Sequence, residues 1–185
     1  MSHPLTWACS TLLLAATASQ AASFTVTSHD VVSGATLSQK HVAYGEGCKG
    51  QNISPDLAWN NPPAETQSFA IVVSDPDAPG SRTWFHWVLF DIPASVKNVA
   101  ANAGEYNSKI LPAGAVQGRN SDYSFSYTGA CPPAGDKPHH YHFTVYALKT
   151  ARLGVDANHS SPENLVDKIK AQSLGSAEVL ATFGR

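Results

Sequence analysis

The sequence predicts a mainly β fold with short helices at its C-terminal end. Three observations carry this. Prolines and glycines are spread along the chain and separate short apolar runs, the distribution of a β-rich domain with long, shaped loops. Three of those runs have strong strand character. Only the last quarter of the chain has helical character.

The elements follow in chain order. Phe24 to Ser28 is a weak strand. Gly45 to Pro63 is loop-rich, with Trp59 as an anchor. Phe69-Ala70-Ile71-Val72-Val73 is a continuous apolar run, the pattern of a strand buried on both faces. From Trp84 to Ile92 two faces alternate, with Trp84, His86, Val88 and Phe90 on one and Phe85, Trp87 and Leu89 on the other. Tyr141 to Leu148 is the third clear strand, with Tyr141, Phe143, Val145 and Ala147 on one face. Ser161-Pro162-Glu163 marks a helix start, with serine at the cap and proline in the first turn. Leu165, Ile169 and Ala171 follow near a helical period, and Gly175 is read as the stop. Ala177 to Phe183 is read as a second short helix.

A chain of 185 residues favours one domain, long enough to bury roughly 70% of its unfolded surface. Charged residues make up only 14% and hydrophobic residues 43%, which excludes disorder and a coiled coil. A net charge of -2 gives no electrostatic basis for nucleic-acid binding. The first residues read as a signal peptide, residues 1–21, followed by one domain over 22–185. Leu12 to Ala16 form a short apolar core, and Ser19 and Ala21 supply the small residues before a cut after Ala21. The run is too short to span a bilayer, which needs about 20 residues, so no transmembrane segment is expected. The protein is expected to be periplasmic or secreted. Cys9 leaves with the leader. Cys48 and Cys131 remain, and an even count in an exported chain permits one disulfide, the alternative being two unrelated thiols.

Three constellations carry chemistry. Asp75-Pro76-Asp77-Ala78-Pro79 follows the central strand, and its prolines stiffen the segment that presents the two carboxylates. Trp84 and His86 share a strand face. Cys131-Pro132-Pro133-Ala134-Gly135 precedes His139-His140-Tyr141-His142, where His139 and Tyr141 share one face and His140 and His142 the other. Histidine and tyrosine offer N–H and O–H donors without a permanent charge, which suits a phosphate or carboxylate near neutral pH. The alternation splits the three histidines and weakens a metal reading, so no metal ion and no cofactor is expected.

These motifs, with Ile92-Pro93, Tyr127 to Gly129, Tyr146-Ala147-Leu148 and the closing Phe183-Gly184-Arg185, resemble the phosphatidylethanolamine-binding protein family. Gly47-Cys48, Gly50, Asn52-Ile53-Ser54-Pro55 and Trp59 look like its bacterial Raf-kinase-inhibitor-like branch. The resemblance implies a large central antiparallel sheet, a smaller second sheet, C-terminal helices, and a small pocket for phosphate-like or carboxylate anions. By motif position that pocket is built from Asp75, Asp77, Trp84, His86, Pro133, His139 and Tyr141. Two positions depart from the family pattern: Ala130 stands where proline is usual, and His140 where arginine is common.

The expected function is non-catalytic binding of a small anionic or zwitterionic ligand, such as phosphate, a carboxylate or a phosphoethanolamine head group. A protein partner that is inhibited or regulated would fit the family's associations. Two other classes stay open on sequence: a hydrolase-like enzyme in which Asp75 or Asp77 orients His86 or His139 as a base, and an extracellular protease inhibitor. Against the enzyme, the chain has no Gly-x-Ser-x-Gly elbow.

Overall fold

The computed structural model describes residues 22–80 and 82–185; the predicted signal peptide lies outside them. Ten strands and one α-helix follow in order: β1 (Thr25–Thr27), β2 (Tyr44–Gly45), β3 (Cys48–Lys49), β4 (Leu57–Asn60), β5 (Ser68–Asp75), β6 (Trp84–Pro93), β7 (Asn98–Val99), β8 (Val116–Gln117), β9 (His139–Leu148), α1 (Pro162–Gln172) and β10 (Ser173–Phe183).

The run from Phe69 to Val73 forms the centre of β5 because it has no glycine or proline to interrupt pairing and every side chain in it is apolar. It pairs antiparallel on both sides, with Val72 opposite Val88 of β6 and Val73 opposite Phe143 of β9. The full sheet has the order β10-β9-β5-β6-β8. A smaller sheet, β1-β4-β7, and a β2-β3 hairpin complete the β structure. The mainly β class is as the sequence predicts, and the two-sheet architecture is as the family resemblance implies.

The two faces of β5 enter two cores. Phe69, Ile71 and Val73 meet Leu57 and Trp59 of the small sheet. Ala70 and Val72 pack with Val88 and Phe90 under Leu165, Val166 and Ile169 of α1. Phe69, Trp59 and Trp87 are all essentially inaccessible, and burying each large apolar side chain contributes about 1.5–3 kcal/mol. The sheet is therefore a middle layer, which fixes its strand ends relative to the loops around them.

The helix begins where the sequence places it. Ser161 caps it, its side chain accepting from the Asn164 amide at 3.2 Å, and Pro162 occupies the first turn. Ser161→Ala should cost about 1 kcal/mol of unfolding free energy, read by urea denaturation; an unchanged midpoint would mean that water replaces the cap.

The second C-terminal helix is a correction. Residues 173–183 form β10, an outer strand paired antiparallel with β9 from Ser173 opposite Leu148 to Phe183 opposite His139. The helix stops at Gln172, three residues before Gly175, which lies beside a register shift in the strand. Val179, Ala181 and Phe183 alternate inward. The outer edge of the strand is partly covered by loop 34–37, with the Leu37 amide donating to the Thr182 carbonyl at 2.8 Å and the Thr182 amide to the Ala35 carbonyl at 2.9 Å. Among the described residues no helix is long and apolar enough to cross a membrane.

Candidate functional site

The antiparallel order β9-β5-β6 sets the C-terminal end of β5 beside the N-terminal ends of β6 and β9. Asp75 pairs with Trp84 across the β5–β6 ladder, and Ser74 with His142 across β5–β9. Side chains from three distant segments thus converge at one end of the sheet. A cavity of about 410 Å³ opens there. Its floor and sides include Asp75, Trp84, His86, His139 and Tyr141, and Pro133 closes one side.

Six of the seven predicted site residues line this cavity. Asp77 does not, and this is a correction. The Asp77 amide donates to Asp75 Oδ1 at 2.8 Å, a tight turn that swings the Asp77 side chain away. Its Oδ2 accepts from the His140 amide at 2.8 Å and from His140 Nδ1 at 2.7 Å. The side-chain hydrogen bond from His140 holds the Asp77 carboxyl below the usual carboxylate range. Asp77 thus sits at the rim of the sheet beside His140, near enough for its charge to act on Tyr141.

Each remaining polar group has a defined partner or a defined lack of one. His139 Nδ1 donates to Asp75 Oδ2 at 2.7 Å, and both side chains are 95% buried. The other imidazole nitrogen, Nε2, lies 3.6 Å from Asp136. His86 Nδ1 donates to the Thr128 carbonyl at 2.8 Å, which fixes the proton on that nitrogen in the neutral ring. Burial pushes the His86 pKa below 6.5, against the opposing pull of the Thr128 carbonyl and Asp75. His86 Nε2 and the Tyr141 hydroxyl are buried without a protein partner. Their rings are neighbours, with centroids 5.3 Å apart in an edge-to-face arrangement. Burial, followed by the charges of Asp75 and Asp77, pushes the Tyr141 phenol up, so it is a donor at any physiological pH. The site therefore offers one acceptor, His86 Nε2, beside one donor, Tyr141 Oη.

The opposite wall comes from loops that sequence reasoning missed. Tyr44, Glu46, Asp122, Thr128 and Gly129 all line the cavity. Glu46 and Gly47, with φ of 51° and 86°, form the two-residue loop of the β2–β3 hairpin, where positive φ at both positions is required. Segment 129–130 lies backbone to backbone against 41–43. A Cβ on Gly129 would sit 2.4 Å from the Ala43 nitrogen and 2.6 Å from the His41 carbonyl oxygen, so only glycine fits. Ala130 keeps an amide that proline would lack, and it donates to the His41 carbonyl at 3.3 Å, while the Ala130 carbonyl accepts from Ala43 at 3.0 Å. The departure from proline here adds a tether.

Cys48 and Cys131 are joined, and Cys131 lines the cavity. Arg185 spans the same two loops. Its Nε donates to the Pro132 carbonyl at 2.6 Å and its Nη2 to the Glu46 carbonyl at 3.3 Å. The pairing of Cys48 with Cys131 is the sequence signal that would have brought Tyr44 and Glu46 to the site. No comparable signal marks Asp122.

Electrostatically the wall is acidic. Glu46, Asp75 and Asp122 line it, and among the described residues lining it there is no lysine or arginine. Among the described residues no group of three or more histidine, cysteine, aspartate or glutamate side chains could hold a metal ion.

The fold is thus a β domain of two packed sheets with an open, acid-lined cavity at the end of the central sheet, the architecture of a binding protein. Residues 27–184 match the family model for phosphatidylethanolamine-binding protein, and the chain belongs to that family. It is 46% identical to the protein YbcL of Escherichia coli (strain K12) over 164 residues, covering 89% of each chain. It is 38% identical to YbhB of the same organism over 84% of this chain and 97% of that one. The crystal structure of Escherichia coli YbcL, described as a new member of the mammalian PEBP family, superposes with a TM-score of 0.86 at 44% identity. That alignment covers 89% of this chain and 99% of the other. A phosphatidylethanolamine-binding protein homologue from Chlamydia trachomatis superposes with a TM-score of 0.71 at 28% identity, over 88% and 97% of the chains.

Proposed function

We propose that the protein is an exported binding protein that takes a small phosphate- or carboxylate-bearing ligand, phospholipid head groups foremost, and does not turn it over. One observation carries the reading. His86 Nε2 and Tyr141 Oη are buried, adjacent and without protein partners, and an unsatisfied buried polar atom costs about 1–3 kcal/mol. A ligand oxygen that accepts from Tyr141 and a ligand O–H that donates to His86 satisfy both at once. The acidic wall selects against a bare dianion and leaves Glu46 and Asp122 for an ammonium group, as in a zwitterionic head group. Binding without turnover is supported by the state of the cysteine on the wall, which is in a disulfide and offers no thiolate nucleophile. Export rests on the leader pattern and on the disulfide.

The proton balance gives the sign of the pH dependence. The His86 pKa is below 6.5 in the free protein, and an anion beside the ring raises it in the complex. Binding therefore takes up a proton, and affinity rises as pH falls from the complex's pKa to the free protein's. It levels off below the latter. Calorimetric titration with phosphate, phosphoethanolamine and acetate from about pH 5 to about pH 8 reads this directly. Tyr141→Phe and His86→Ala should each weaken binding about tenfold, the equivalent of about 1.4 kcal/mol. Variants that bind like the parent protein, or phosphoethanolamine consumed during the titration, would contradict the proposal.

A further inference from the structure

The strand alternation that puts His139 and Tyr141 in the cavity puts His140 and His142 together on the other face of β9. The helix α1 covers this face only at its far end, around Ala70, Val72 and Leu148. Toward the cavity end the face is open, and the His140 and His142 side chains are 50% and 30% exposed. Each ring is held through Nδ1 by a different carboxylate. His140 Nδ1 lies 2.7 Å from Asp77 Oδ2, and His142 Nδ1 lies 3.1 Å from Glu178 Oε2. Glu178 is itself steadied by the Thr144 hydroxyl at 3.3 Å.

This is the arrangement that metal-ligating histidines use. A carboxylate on one ring nitrogen fixes the tautomer, orients the ring and leaves the basic lone pair on Nε2. Two imidazoles at positions i and i+2 of one strand rise from the same surface about 7 Å apart along the chain, within reach of one ion. We propose that His140 and His142 form a two-imidazole site for a divalent ion of the imidazole-preferring group, Zn2+ or Cu2+, with solvent completing the coordination. Asp77 and Glu178 act as positioning residues. The site has two protein ligands, which is consistent with no group of three or more converging among the described residues. Asp77 thereby gains a role beside His140, to which its turn delivers it.

Calorimetric titration of the full chain with ZnCl2 near neutral pH tests the proposal. One saturable Zn2+ site is expected. His140→Ala and His142→Ala should each weaken it more than tenfold, and Asp77→Asn about tenfold, since loss of such a carboxylate typically costs 10–100-fold in affinity. His29 and His159 also pair with single carboxylates but have no second histidine beside them on a strand. His29→Ala and His159→Ala should leave the Zn2+ affinity unchanged. Saturable binding that survives both His140→Ala and His142→Ala, binding lost in His29→Ala or His159→Ala, or no saturable binding at all, would overturn the assignment. Phosphoethanolamine affinity in His140→Ala separates this site from the cavity, because that variant leaves His86 and Tyr141 in place.

Discussion

Asp75→Ala should destabilise the protein by about 2–5 kcal/mol, at about 1–3 kcal/mol for each buried donor left without its acceptor. The carboxylate does two things. Its Oδ2 accepts from His139 Nδ1 at 2.7 Å, and its Oδ1 accepts from the Asp77 amide at 2.8 Å. Alanine leaves a buried imidazole N–H and a turn amide without acceptors, and it also opens space at the end of β5. Asp136 does not replace it, because that carboxylate lies 3.6 Å from the other ring nitrogen and is half exposed. Asp75→Asn keeps the size and one acceptor oxygen, so its cost should be smaller. His139→Ala alone should also be costly. The double variant should cost clearly less than the sum of the two, because removing both partners leaves nothing buried and unpaired. Urea denaturation of the four proteins gives the cycle. Additive losses would show that Asp75 and His139 act independently. Ligand binding in Asp75→Ala should fall with the loss of the wall, whereas Tyr141→Phe should bind weakly while remaining stable.

The parts of the fold that were legible in sequence are those decided by local composition. β5, β6 and β9 are long apolar or alternating runs with no internal glycine or proline. β10 looks helical in sequence for an identifiable reason. Ala177, Val179, Ala181 and Phe183 alternate with period two, but alanine, glutamate and leucine also favour helix, and Gly175 imitates a helix stop. Pairing along β9 decides the matter, and that partner lies far outside any local window, as Phe183 opposite His139 shows. The same division runs through the site. Asp75, Trp84, His86, His139 and Tyr141 sit at strand ends inside recognisable motifs, so the topology alone brings them together. Asp77 is two residues from Asp75, yet the side chain leaves the cavity because the tight turn at 75–77 directs it to His140. Tyr44, Glu46 and Asp122 arrive by loop closure, which no short window of sequence records.

Replacing both cysteines by alanine should lower stability by about 4 kcal/mol and leave ligand affinity within about threefold of the parent protein. The first figure follows from loop closure. The cysteines are 83 residues apart, and cross-linking so long a loop removes about that much conformational free energy from the unfolded chain in the chain-entropy model. The second follows from what else holds the same wall. The Ala43 amide donates to the Ala130 carbonyl at 3.0 Å, and the Gly50 amide to the Ala43 carbonyl at 2.8 Å. Arg185 bridges the Pro132 and Glu46 carbonyls. These contacts keep the two loops in register in the folded state whether or not the sulfurs are joined. The disulfide thus acts chiefly on the unfolded ensemble, while the neighbouring hydrogen bonds shape the cavity. At about 2–4 °C per kcal/mol for a domain of this size, the melting temperature should fall by roughly 8–16 °C. Thermal melts and phosphoethanolamine titrations on the Cys48→Ala/Cys131→Ala protein, run beside the parent protein with and without reductant, separate the two effects. A loss of affinity in step with the loss of stability would show that the bond shapes the cavity directly. A melting temperature within about 2 °C of the parent protein would show that the unfolded chain gains little freedom from losing it.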